Sequence, residues 1–258
     1  MSTSQHAAQH AYAAEQYGSR ARDYVTSAVH SSGGDLDQVE DIVRGRELAR
    51  VLDLGCGGGH VSYRAAPHVG EVVACDVTAS MLDAVTATAA ERGLHNIITQ
   101  QAAAEHLPFP DAHFDAVLCR FTLHHWPDIE AGLRQARRVL KPDGSAVLID
   151  TVAPANPVLD SHLQAVELLR DASHVRNYNV AELVAALSRA GLVVDGITMR
   201  RLRMEFPVWI ARTRTPSTHV AAIRSLQDGS PAVVRDYFAI GEDGSFDLEA
   251  ATFVLRSA

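Results

Sequence analysis

VLDLGCGGGH (residues 51–60) sets a short apolar run directly against a glycine cluster. Such a run, stopped by glycines, reads as a buried strand handing over to a loop, because glycine reaches φ > 0 without steric cost. Downstream the pattern repeats. EVVACD (71–76) has strand length, and ASMLDAVTATAAERG (79–93) carries apolar residues at helical spacing and closes on Gly93. NIITQ (96–100), FDAVLCR (114–120) and SAVLID (145–150) are further strands, with IEAGLRQARRVL (129–140) as a helix and KPDG (141–144) as a turn before the last. Strands alternating with helices predict β-α-β units, a parallel sheet and right-handed crossovers.

On either side of this stretch the pattern changes. AAEQYGSRARDYVTSAV (13–29) and LDQVEDIVRGREL (36–48) are helix-like, with a break at SSGGD (31–35), so the first 50 residues are expected to contribute no strand. Beyond the loop APANP (153–157), helices are expected over 158–172 and 180–191, a strand over 192–205 interrupted at Gly196, two or three short helices within 206–238, and a last strand over 247–257. No repeat or low-complexity segment is present.

The chain has 258 residues, 47% of them hydrophobic and 21% charged, a globular composition. Its formal charge of -8 argues against a surface built to neutralise many phosphates, so nucleic acid is not an expected partner. Cys56, Cys75 and Cys119 make an odd count within apolar runs and read as reduced packing residues. No stretch has the length or apolarity of a membrane span, and the N-terminus lacks a signal-peptide pattern; a soluble, cytoplasmic monomer or homodimer is expected. No C-x-x-C or H-x-x-x-H spacing occurs, and no metal is expected. Lys141 is the only lysine among 23 basic residues, which places no lysine near a catalytic loop; the arginine excess reads as coding bias.

A glycine loop before a helix can serve several ligands. A dinucleotide fingerprint, G-x-G-x-x-G, would need glycine where His60 stands. Here the pattern is acid-x-G-x-G-x-G with Asp53 at the strand end, and Asp53 would repel a pyrophosphate but suit an ammonium or sulfonium ligand. Asp76 ends the next strand, where a carboxylate can accept from both hydroxyls of a ribose. Adenosine with a cationic tail therefore fits better than NAD.

VLDLGCGGGH, VVACDVTASML, AEHLPFPDAHFDAVLCRFTLHHW and RVLKPDGSAVLID stand in order at the spacing of the class I S-adenosylmethionine-dependent methyltransferases, and the chain resembles their ubiquinone/menaquinone C-methyltransferase branch. The likeness spans roughly residues 10 to 200 and is strongest over 50–152. It is also similar to a bacterial subgroup with a tyrosine-bearing N-terminal helix, a VHSSGGDL segment and an SHVRNY segment. The resemblance implies a Rossmann-like α/β fold with a seven-stranded, mostly parallel sheet, helices on both faces, and helical insertions as lid and cap. One domain over 1–258 is implied: a lid over 1–48, a cofactor core over 49–152, and the rest of the sheet with cap helices over 153–258. The implied cofactor is S-adenosylmethionine, leaving as S-adenosylhomocysteine.

Residue by residue, the family implies that Asp53, Gly55, Cys56 and Gly57 lie against the methionyl part, Asp76 and Val77 against the ribose, and Met81 on the adenine, although Met81 could equally be helix-core packing. Relatives commonly carry Asp before the Ala-Glu pair; Ala103 stands there, which removes one hydrogen bond worth about 0.5–1.5 kcal/mol and leaves Ala104 and Glu105 to meet the adenine edge. Arg120 lies near the methionyl end or pairs with an acid. Tyr17 and Tyr24, seven apart and on one face, would close over the cofactor or form a packing stripe.

In open parallel sheets ligands sit beyond the carboxyl ends of the strands, which puts residues 120–126 at the acceptor. A neutral acceptor needs its proton removed, and histidine has a suitable pKa, so His124 and His125 are the catalytic candidates, with His124 favoured; both could instead only pack. Tyr12, His30, His174, Arg176 and Tyr178 are candidates to meet the acceptor, although exposed-loop polarity explains His174, Arg176 and Tyr178 equally well. Arg200, Arg201 and Arg203, with Arg212 and Arg214 nearby, form either a solvated face or an anion-binding rim. The expected activity is methyl transfer to O, N or C of a small, aromatic or heteroaromatic acceptor. Two other readings stand beside it: a protein that binds the cofactor without transfer, and an NAD-dependent oxidoreductase, against which the absence of a Tyr-x-x-x-Lys pair counts.

Overall fold

A computed structural model describes residues 3–18 and 33–258. Its elements are α1 (Thr3–Gly18), α2 (Gly34–Val43), β1 (Arg46–Leu54), α3 (His60–Ala65), β2 (Val69–Asp76), α4 (Ala79–Glu91), β3 (Ile97–Gln101), β4 (Phe114–Arg120), α5 (Ile129–Val139), β5 (Leu140–Val152), α6 (Pro157–Arg170), α7 (Val180–Arg189), β6 (Leu192–Met204), α8 (Phe206–Arg212), α9 (Ser217–Asp228), α10 (Ala232–Tyr237) and β7 (Phe246–Ser257). The seven strands form one sheet in the order β3-β2-β1-β4-β5-β7-β6, parallel except for β7.

The central strands are buried on both faces, so their alternation divides two cores. Val51, Ala116, Leu118, Val147 and Ile149 pack with Leu36, Val39 and Val43 of α2 and Val61 of α3. Leu52, Val117, Cys119, Ala146 and Leu148 face Leu133 and Ala136 of α5 and Leu183 and Leu187 of α7. A third cluster ties the β7 end, Phe246 and Leu248, to Leu163 of α6, Trp209 of α8, Ile223 of α9 and Val234 of α10. The α7 N-terminus is held by a capping box between Asn179 and Glu182, and the α5 N-terminus by Asp128, which accepts from Ala131 N at 2.9 Å.

All seven expected strands form, and the region 206–238 holds three helices. Three expectations need correction. The helix expected over 36–48 ends at Val43, and β1 starts at Arg46, so the first 50 residues do contribute a strand. Gly45, at φ 75, turns the chain, and the strand start pairs irregularly, with the register to β2 shifting between Arg46 and Arg50. KPDG lies within β5 as an excursion opposite the Phe114–Ala116 step, where the register breaks, rather than as a separate turn. The first helix is described only over Thr3–Gly18; residues 19–32 lie outside the described residues. The irregularity expected at Gly196 appears as a register shift between Val194 and Gly196. Among the described residues, no helix is long and apolar enough to cross a membrane.

Candidate active site

β1 has β2 on one side and β4 on the other, so the crevice opens beyond the carboxyl ends of β1 and β4. A cavity of about 400 Å³ lies there. One end is walled by Asp53, Gly55, Cys56, Gly57, Asp76, Val77 and Met81; the middle by Arg120, Phe121, Thr122, His124 and His125; the far end by Glu167, Arg170, Trp209 and Arg200 to Met204.

The glycine loop takes its shape from three left-handed residues, Gly55 (φ 72), Gly57 (φ 48) and Gly59 (φ 80). A Cβ on Gly55 would come within 2.5 Å of Thr122 Oγ1, whereas one on Gly57 would meet nothing within 4 Å. The two positions therefore serve different ends: Gly55 lets the loop approach the turn after β4, and Gly57 opens space in which a ligand can lie on the backbone. Gly55→Ala is expected to lower stability by about 1–3 kcal/mol, read as a fall in the thermal midpoint. Gly57→Ala should cost less stability and instead weaken S-adenosylhomocysteine binding, read by calorimetry.

Asp53 is buried and accepts from Ser62 N (2.9 Å) and Ser62 Oγ (2.6 Å). Burial pushes its carboxyl up to about 7 despite those hydrogen bonds. The charge of Arg120 lowers the Asp53 pKa too little to offset burial, and a carboxylate raised in this way suits a ligand that brings a further positive charge. Asp76 accepts from Gly57 N and Thr78 N, each at 2.9 Å, and burial raises its pKa as well. This acidic end of the cavity fits a cationic cofactor with a ribose. Met81 is buried and at the same time lines the cavity, so both readings of it hold. Arg120 lines the cavity while pairing with Asp35 at 2.5 Å.

Phe121, immediately after β4, has φ 53, and its N donates to Ile149 O at 2.8 Å. The left-handed residue swings the chain into a 3₁₀ turn, Leu123–His125, that presents both histidines. They part there. His124 Nδ1 donates to Asp150 Oδ1 at 2.6 Å, while His125 Nδ1 turns to Ser173 O at 3.2 Å. Asp150 is buried at the end of β5 and accepts also from Thr151 N (2.7 Å). Burial opposes a charge on His124, but the Asp150 carboxylate outweighs it and holds the ring above the usual histidine value. His125, buried beside His124, is pushed down to about 4 and stays neutral. With Nδ1 directed to Asp150, Nε2 of His124 is the basic nitrogen.

Several expected contacts fall elsewhere. His174 is buried, bonds Gln164 Oε1 at 3.1 Å and is pushed down to about 2. Arg176 pairs with Asp160 and Glu182, each at 3.3 Å, and Tyr178 packs against the main core. None of the three lines the cavity. Their segment acts from behind instead, with Val175 N donating to His124 O at 2.9 Å. Glu105 is buried, pairs with His10 of α1 at 3.1 Å, and like Ala103 and Ala104 does not line the cavity. Tyr12 is 37% exposed on α1 and is not among the lining residues. The Tyr17 side chain, Tyr24 and His30 lie outside the described residues. Asp150, Thr151, Glu167, Arg170 and Trp209 were not expected; only the acid closing SAVLID carried a readable signal, as one more carboxylate at a strand end.

A sheet of this order with a glycine loop after β1 and acids closing β1 and β2 defines the Rossmann-like methyltransferase fold. A family model for the methyltransferase domain matches residues 52–148. The chain is 46% identical over 192 residues to the uncharacterized protein YafE of Escherichia coli, covering 74% of this chain and 93% of YafE. It is 35% identical over 239 residues to the uncharacterized methyltransferase YcgJ of Bacillus subtilis, covering 91% of this chain and 94% of YcgJ. The crystal structure of YcgJ superposes with a TM-score of 0.83 at 34% identity, covering 87% of this chain and 99% of that one. UbiE of Ectopseudomonas mendocina, a ubiquinone/menaquinone biosynthesis C-methyltransferase, is 34% identical over 161 residues, 55% of this chain and 63% of UbiE. The chain belongs to the class I S-adenosylmethionine-dependent methyltransferases.

Proposed function

We propose that this enzyme methylates an oxygen, nitrogen or carbon nucleophile of a small aromatic or heteroaromatic molecule, with His124 as the base. The observation that carries this reading is the Asp150–His124 pair, 2.6 Å apart, on the middle of the wall of a cavity that is acidic at its Asp53 and Asp76 end. When bound, S-adenosylmethionine would supply an electrophilic methyl on a sulfonium sulfur, with the neutral thioether S-adenosylhomocysteine as the leaving group. Asp53 with the backbone of Gly55, Cys56 and Gly57 holds its methionyl part, with Arg120 close by. Asp76 and Val77 hold the ribose, and Met81 meets the adenine. His124 Nε2 takes the acceptor's proton, and Asp150 fixes the ring and stabilises the imidazolium that results.

The name of UbiE refers to ubiquinone and menaquinone biosynthesis, which supports a ring-bearing acceptor. Trp209, Leu202 and Met204 offer it apolar walls. The cavity of about 400 Å³ and the acidic chain favour a small molecule over nucleic acid, and three buried free cysteines suit a cytoplasmic protein, monomeric or homodimeric. In this reading 1–258 is one domain, with α1 as lid, α2 and the strands through β5 as cofactor core rather than the lid expected over 1–48, and 153–258 completing sheet and cap; Gln9 Nε2 donating to Ser173 O at 3.2 Å supports that role for the N-terminal helix.

Incubation with S-adenosylmethionine and cell metabolite fractions, followed by mass spectrometry, should yield a product heavier by one methylene that keeps an aromatic chromophore. An aliphatic product would overturn the acceptor class. Once the acceptor is in hand, kcat/KM should rise with pH to a midpoint above the ordinary histidine value of about 6.5, since the base must be neutral to accept. Asp150→Asn removes the charge that raises His124, so the midpoint should move to lower pH. An unmoved midpoint would mean that the rate does not follow His124.

A further inference from the structure

β7 runs antiparallel to both β5 and β6, so β6 is parallel to β5 and its carboxyl end, Arg200–Met204, reaches the same sheet edge as His124. The register makes this specific: Ala250 of β7 pairs with Thr151 on one side and Arg200 on the other. Arg200 therefore stands on the same rung as the residue after Asp150, two strands away, about 10 Å between backbones.

Arg200 Nη1 donates to Thr252 Oγ1 at 2.7 Å, and Nη2 to Gly34 O at 3.1 Å and Gln38 Oε1 at 2.8 Å. All three acceptors are neutral. Among the described residues no carboxylate lies within ion-pair distance of this guanidinium, and two of its five N–H groups, Nε–H and one on Nη1, have no acceptor. Next to it, Arg201 and Arg203 share the single carboxylate of Asp247 at 3.2 and 3.1 Å, with Glu205 at 3.9 Å from Arg203. All three arginines line the cavity. Glu167, which also lines this end, pairs with Arg170 at 3.5 Å, so in a chain of net charge -8 Arg200, Arg201 and Arg203 leave this end of the cavity net positive. The acidic end, with Asp53 and Asp76, is the cofactor's, so the imbalance faces the acceptor.

Building on the function proposed above, we propose that the acceptor carries an anionic group, a carboxylate or a phosphate, about one aromatic ring away from its nucleophile, and that Arg200 binds it with Arg201 and Arg203 at the rim. A guanidinium fixed by neutral oxygens presents its remaining N–H groups in a planar fork suited to either anion. Ring and acid group together are of the order of the two-strand separation between Thr151 and Arg200, about 10 Å. The three neutral anchors keep the fork in place before the acceptor arrives, and the charge draws anions into the cleft.

The test is calorimetry on protein loaded with S-adenosylhomocysteine, using 4-hydroxybenzoate against its methyl ester and phenyl phosphate against phenol. At least one anion should bind about tenfold or more tightly than its neutral partner. Which pair shows the difference tells carboxylate from phosphate. Arg200→Gln should abolish that difference, Arg200→Lys should restore part of it, and the affinity for S-adenosylhomocysteine should stay the same. Should Arg200→Gln fail to fold, Arg203→Gln is the second variant and should reduce the difference. Equal affinities within both pairs overturn the proposal, as does an undiminished difference in folded Arg200→Gln. Loss of S-adenosylhomocysteine binding by the parent protein at about 50 µM would instead sink the underlying methyltransferase site.

Discussion

Asp76→Ala binds S-adenosylhomocysteine about 100-fold or more weakly than the parent protein, because hydrogen bonds to a charged carboxylate contribute about 1.5–3 kcal/mol each and two ribose hydroxyls lose theirs. The side chain has a second task, accepting from Gly57 N and Thr78 N, which ties the glycine loop to the end of β2. Asp76→Asn separates the two roles. The amide oxygen can still accept from the loop, but the charge is gone, so an intermediate loss of about tenfold is expected. Calorimetry checks affinity, and a thermal melt of each apo variant checks that the loop has not unfolded the site. An alanine variant with parental affinity would remove Asp76 from the cofactor site.

His124→Asn is expected to lower kcat by about 10²-fold or more, the usual range for loss of a general base, while the affinity for S-adenosylhomocysteine changes little. The contrast follows from position: His124 sits in the middle of the cavity wall, with Asp150 behind it, whereas the acids of the glycine loop and β2 form the end. His125→Asn is the control. That ring bonds Ser173 O and is held neutral near 4, so its loss should cost stability more than chemistry. A fall in kcat for His125→Asn that equals the fall for His124→Asn would assign the proton transfer to neither ring alone. Product formation under single-turnover conditions gives the chemical step directly, free of release.

The strands were legible because each is a short apolar run bounded by glycine, proline or a helical pattern, and burial on both faces of the sheet makes such runs continuous. Where local signals compete, the reading failed. LDQVEDIVRGREL keeps helical spacing past Gly45, yet its last residues join β1 because β2 lies alongside to pair with them. KPDG has the composition of a turn but sits inside β5, between Leu140 and Ser145, which both pair with β4. In the site, Asp53, Asp76 and the glycines were legible, since each is read against an element boundary a few residues away. The partner of His124 was not. Asp150 is 26 positions distant, and only the pairing of β4 with β5 brings the two within 2.6 Å. SHVRNY looked like an acceptor loop because it is polar, and its polarity is spent on the backs of the histidines and on the helices around it.

The amino-acid sequence by itself determined the class of this protein: short apolar runs alternating with segments of period 3.6 specify a doubly wound sheet, and an acid, a glycine loop and a second acid at successive strand ends specify a cationic adenosine cofactor. These are short-range facts, set by backbone sterics and burial within one β-α-β unit. The tertiary structure alone decided which histidine is backed by a carboxylate and which arginines line the cavity. Both depend on strand order, because an antiparallel β7 inserted between β5 and β6 sets Arg200 on the rung of Thr151, and no local pattern in the chain encodes which strands become neighbours.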